Sequence, residues 1–99
     1  MHVVFSATVS GLPHRFFGTR TRAEHESFRV RTQSGRELEV VTNLEFAPWV
    51  EVKPGDRVRV GGELTPSDRG TGDVVHWTHH DPAGRHVAGF IEWNGRRYA

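Results

Sequence analysis

Between residues 76 and 86 the chain reads His76-Trp77-Thr78-His79-His80-Asp81-Pro82-Ala83-Gly84-Arg85-His86. Imidazole and carboxylate groups bind divalent metals such as zinc, and imidazole moves protons near neutral pH. Whether they can do either here depends on convergence. On an extended strand His76 and His80 share a face but stand about 13 Å apart along it, and His79 points the other way. A helix would bring His76 and His80 together, but Val74, Val75, Trp77 and Thr78 favour a strand. The His-Glu-x-x-His spacing of zinc hydrolases is missing, because Trp77 stands where the glutamate would be. Asp81-Pro82-Ala83-Gly84 reads as a type I turn with Gly84 left-handed. Continued as a hairpin, it sets His80 opposite His86, Trp77 opposite Gly89 and Val75 opposite Ile91. The Cβ atoms of His80 and His86 would then lie about 5 Å apart. Asp81 would serve as a third ligand or as an orienting acceptor. His80, His86 and Asp81 are thus the candidate metal ligands and the candidate catalytic groups of a nuclease-like hydrolase. In a two-residue register His79 faces His86 instead. The plain structural alternatives are strand histidines bonded to backbone, an Asp81 that only caps its turn, and a Trp77 in the core.

A second constellation lies between Ser10 and Arg36. Arg15, Arg20, Arg22, Arg29, Arg31 and Arg36 face only Glu24 and Glu26 in sequence, and Phe16-Phe17 sits in the same polar stretch. Arginine beside exposed aromatic rings is what single-stranded nucleic acid, or another anionic ligand, requires. The candidate ligand-binding set is Arg15, Arg20, Arg22, Phe16 and Phe17, joined by His76, Trp77 and His79. The formal net charge is only +1, so no global attraction to polyanions is expected. All cationic side chains except Lys53 are arginine, which a codon bias alone would produce.

Short segments punctuated by Gly and Pro must position these groups, an all-β pattern. Val3, Phe5, Ala7 and Val9 alternate with polar residues as a first strand. His14 to His25 reads as a long basic loop. Phe28, Val30 and Thr32, then Leu38 and Val40, form a hairpin through Gln33-Ser34-Gly35 with Gly35 left-handed. That register pairs Val30 with Leu38 and Phe28 with Val40 on an apolar face. It pairs Arg31 with Glu37 and Arg29 with Glu39 on the other face, whereas a two-residue loop would oppose Val30 and Glu39. Asn43 to Val50 reads as a turn or one helical turn ending before Pro48. Arg57 to Leu64 is a strand with a bulge or sharp bend at Gly61-Gly62, and Thr65 to Gly72 is a polar loop. Asp73 to His80 and Gly89 to Trp93 are strands, and Asn94-Gly95 turns into a short end carrying Tyr98. This order predicts a single domain over residues 1–99, an OB-like five-stranded barrel with an added C-terminal hairpin strand. An SH3-like barrel is the main alternative.

Val75 to Pro82, with Gly84, His86 and Gly89, resembles the bacterial domain-of-unknown-function family 3465. The resemblance runs back through His25, Ser34-Gly35, Asn43, Ala47-Pro48 and Gly55-Asp56, and forward through Asn94-Gly95 and Tyr98. A histidine often precedes the residue matching Asn43 in that family, and Thr42 stands there in this chain. The family implies a small bacterial domain, commonly exported in its members, with no activity attached. The chain has no cysteine, hence no disulfide framework and no thiolate chemistry. Met1 to Phe5 lacks the form of a signal peptide, and no apolar run approaches the roughly 20 residues of a membrane span, so a cytoplasmic location without membrane contact is the default expectation.

Overall fold

The computed structural model describes residues 1–66 and 73–99. Its strands are β1 (His2–Val9), β2 (His14–Gly18), β3 (Ala23–Thr32), β4 (Glu37–Asn43), β5 (Arg57–Thr65), β6 (Asp73–His76), β7 (Phe90–Trp93) and β8 (Arg96–Tyr98). Five of them close a ring in the order β1-β3-β4-β6-β5 and back to β1, with β4 and β6 parallel and the other neighbours antiparallel. This is the expected OB-like barrel. The β7–β8 hairpin hangs on β5 outside the ring, and β2 pairs with β3 as an edge strand.

The β3–β4 hairpin has the predicted register. Val30 opposes Leu38, Phe28 opposes Val40, Arg31 opposes Glu37 and Arg29 opposes Glu39. Gly35 has φ 87°, the left-handed state that a residue with a Cβ resists. The inward face of β3 and β4 joins Ala7, Val9, Val58, Val60, Val75 and Ile91 in the core. Residues 44–56 cross one end of the barrel and bury Ala47, Val50 and Val52 against it. The single turn expected before Pro48 is present, with Ala47 N donating to Asn43 O at 3.1 Å.

Three expectations are corrected. His14 to His25 is not a long loop: β2 and the first half of β3 form a ribbon through a turn at Thr19–Arg22, where Arg22 has φ 55°. The edge pairing supplies hydrogen bonds that the polar side chains do not advertise. Of the bulge or sharp bend expected at Gly61-Gly62, the bulge is excluded, for the β1–β5 ladder runs unbroken through both. Here the lack of a Cβ serves close approach instead. A Cβ on Gly61 would lie 2.6 Å from the Phe90 ring, and one on Gly62 would lie 2.5 Å from the His76 carbonyl. At this point β5 exchanges β7 for β6 as its partner. Finally, the strand expected over residues 73–80 stops at His76, because Trp77 turns out of the ladder with φ 54°.

Candidate functional site

The end of β6 does not continue into a hairpin with β7. Val75 pairs with Leu64 and Val40, and Ile91 pairs with Val60 and Tyr98, so the expected Val75–Ile91 register does not form. β6 and β7 follow one another along the same edge of β5, β7 at Arg59–Gly61 and β6 at Glu63–Thr65, so each bonds to β5 and not to the other. Residues 77–89 form a loop folded over this corner. Thr78 is buried and its hydroxyl donates to Val41 O at 2.9 Å, just past the last parallel pair. Gly89 N donates to His79 O at 2.9 Å. The expected closeness of Trp77 and Gly89 is real but made by backbone, since a Cβ on Gly89 would collide with the Trp77 carbonyl oxygen.

The candidate residues separate along this loop. His86 stacks on Trp77 with ring centroids 4.1 Å apart, while His80 meets Phe46 edge-on at 5.9 Å. His79 is buried between Phe46 and Trp77, at 5.1 Å and 5.5 Å. Its Nδ1 lies 2.6 Å from His80 O and must donate there, which leaves Nε2 as an acceptor. Burial lowers the His79 pKa, so the ring is neutral at physiological pH. Burial likewise lowers that of His76, whose Nε2 lies 2.6 Å from the Thr65 hydroxyl. The Asp81 carboxylate accepts from the backbone N–H groups of Ala83, Arg85 and His86. Partial burial opposes its ionisation, but these bonds prevail and hold its pKa below the usual carboxylate range. Gly84 has the expected left-handed φ, 69°. Asp81 thus builds the turn. Among the described residues, no group of three or more His, Asp or Glu side chains is placed to hold a metal ion.

The ribbon carries the second candidate set. Alternation about the β2–β3 ladder puts His14 and Phe16 on one side and Arg15 and Phe17 on the other. Phe16 stacks on His25 at 5.1 Å and 14°, and the Arg15 guanidinium lies 5.3 Å from the Trp49 ring centre. Phe16 remains 40% exposed and Phe17 58% exposed. Arg15, Arg20 and Arg22 are exposed and make no ion pair among the described residues. The polar loop expected over Thr65–Gly72 falls largely outside the described residues.

Sequence reasoning missed a buried polar cluster at the same end of the barrel. His25, Glu26 and Ser27 begin β3, Thr42 and Asn43 end β4, and Thr78 and His79 follow β6, all of them buried. Glu26 and Thr42 are cross-strand partners facing inward. Glu26 Oε1 accepts from Val50 N at 2.8 Å, while Oε2 and the Thr42 hydroxyl have no partner among the described residues. Burial pushes the Glu26 pKa up to about 7, against the pull of the Val50 N–H and, more weakly, Arg15. Parity was the available signal. Counting by two back from Val30 and Phe28 reaches Glu26, and forward from Leu38 and Val40 reaches Thr42.

A closed OB-like barrel with an arginine-bearing edge ribbon defines a small β-barrel domain of the kind that hosts binding sites on its loops and outer strands. Residues 11–99 match the family described as a protein of unknown function, DUF3465, and the chain belongs to that family. No curated protein and no solved structure matches the chain.

Proposed function

We propose that this domain binds a flexible anionic chain, single-stranded nucleic acid, on the β2–β3 ribbon. The observation that carries the reading is three exposed arginines without ion pairs among the described residues, Arg15, Arg20 and Arg22, around exposed Phe16 and Phe17. Phosphates neutralise the guanidinium groups, and bases stack on the rings, which tolerate any sequence because every base has a π face. The two phenylalanines lie on opposite sides of the ribbon, so a bound strand bends around the β2 edge to use both. The test is a salt titration of binding to oligothymidylate by fluorescence anisotropy. Three phosphate contacts predict a slope of about −2 for log affinity against log salt. No binding at low salt, or binding indifferent to salt, rejects the reading.

A further inference from the structure

The outer face of β1 carries small hydroxyl residues, Ser6 and Thr8, with Ser10 just past its end, while the strands beside it carry arginine. Thr8 is paired with Arg31 of β3 on one side and Arg57 of β5 on the other, and Ser6 is paired with Arg59. Short side chains between long ones make a trough. The next rungs continue it, with Arg59 opposite Glu92 and Glu92 opposite Arg97. Two open cavities of about 540 and 510 Å³ occupy this face, and both are lined by Ser6 and Arg57. They form one track from Gln33 on the β3–β4 turn to Asn94-Gly95 on the β7–β8 turn.

The track is under-neutralised. Among the described residues Glu92 is the one carboxylate in its lining, and Arg59 and Arg97 share it, at 3.1 and 2.7 Å. Arg31 is held by Glu37 at 3.0 Å. Arg57 makes no ion pair among the described residues, while Arg96, opposite Trp93, points to the other face of the hairpin and lies over Tyr98 at 4.8 Å. Arg57 and Arg59 point the same way two residues apart, about 6.6 Å along the strand. That is comparable with the step between phosphates of an extended phosphodiester chain. Trp93 is half-buried and packs towards Tyr98, so the track offers no open ring for stacking.

We infer that the trough over β1 is a second anion site, which takes consecutive phosphates of a single-stranded phosphodiester backbone without contacting its bases. The inference shares its ligand class with the ribbon reading but rests on separate residues. The test uses two probes of equal length, oligothymidylate and an abasic deoxyribose-phosphate oligomer. The variants are Arg57→Ala/Arg59→Ala and Arg57→Lys/Arg59→Lys. These side chains are exposed, and a melting curve for each variant checks that the fold is kept. The alanine pair should weaken both probes alike by on the order of tenfold or more near 50 mM salt, and flatten the salt slope by about 1.4. The lysine pair should retain most of the affinity, since a phosphate track needs charge more than fork geometry. Abasic binding unchanged by the alanine pair, or no abasic binding to the wild type, overturns the trough. Failure of the ribbon reading is separately visible, as oligothymidylate binding unchanged by Arg15→Ala/Arg20→Ala/Arg22→Ala.

Discussion

β3 is one continuous strand whose two halves do different work. Its second half, from Phe28 to Thr32, sends Phe28 and Val30 into the core and sets Arg29 and Arg31 outside, where both guanidinium groups face Glu37 at 3.7 and 3.0 Å. Its first half, from Ala23 to Ser27, keeps the same inward parity but points Glu26 into the barrel, and it pairs with β2, whose one arginine, Arg15, stands opposite Glu26 with no ion pair among the described residues. Matched charge and apolar burial in the second half explain themselves as structure. The first half spends stability on an inward carboxyl and leaves cations and aromatic rings exposed. Residues that break local consistency in this way are where function is to be sought.

The largest expected effect lies in the structural half. Phe28→Ala should cost about 3–5 kcal/mol of unfolding free energy, by lost transfer and a cavity at a site with no exposed surface. Chemical denaturation measures it, and a loss under about 1 kcal/mol would mean that the barrel middle repacks freely.

Glu26 gives the next effect, with a definite sign. Its folded pKa of about 7 lies above the ordinary 4.5, so the fold prefers the protonated form. The associated stability is fully present below pH 4.5 and is lost as pH rises through 7. The loss is on the order of 3 kcal/mol. Glu26→Gln, neutral throughout, should flatten this part of the stability–pH curve and make the variant the more stable one above pH 7. A wild-type curve flat between pH 5 and 8 would show that Glu26 is ionised or solvated.

The smallest effect returns to the second half. Arg31→Ala removes an exposed ion pair with Glu37 and should cost less than about 1 kcal/mol. Thermal melts at low and high salt would check this, and a larger cost that survives high salt would contradict it.

The second half of β3 was legible in sequence because two constraints agreed, apolar alternation and opposite charges across a turn whose glycine takes φ 87°. The first half was not. Nothing apolar alternates in Ala23-Glu24-His25-Glu26-Ser27, and its strand character comes from pairing with β2, whose side chains are all exposed except Gly18. The histidine loop was legible in part. The Asp81–Gly84 turn formed as expected, yet turn chemistry alone cannot show that β6 and β7 both pair with one edge of β5 instead of with each other. The hairpin register of His80 and His86 failed on that long-range fact, while the family resemblance drawn from the same segment was correct.

The most direct test sets the two arginine groups of β3 and its ribbon against each other. Oligothymidylate affinity is measured by anisotropy near 50 mM salt for Arg15→Ala/Arg20→Ala/Arg22→Ala and for Arg29→Ala/Arg31→Ala. The account predicts a loss on the order of a hundredfold for the ribbon set. It predicts only a small change for the second set, whose charges Glu37 already engages. Equal losses in both sets, or a larger loss from Arg29 and Arg31, would contradict it.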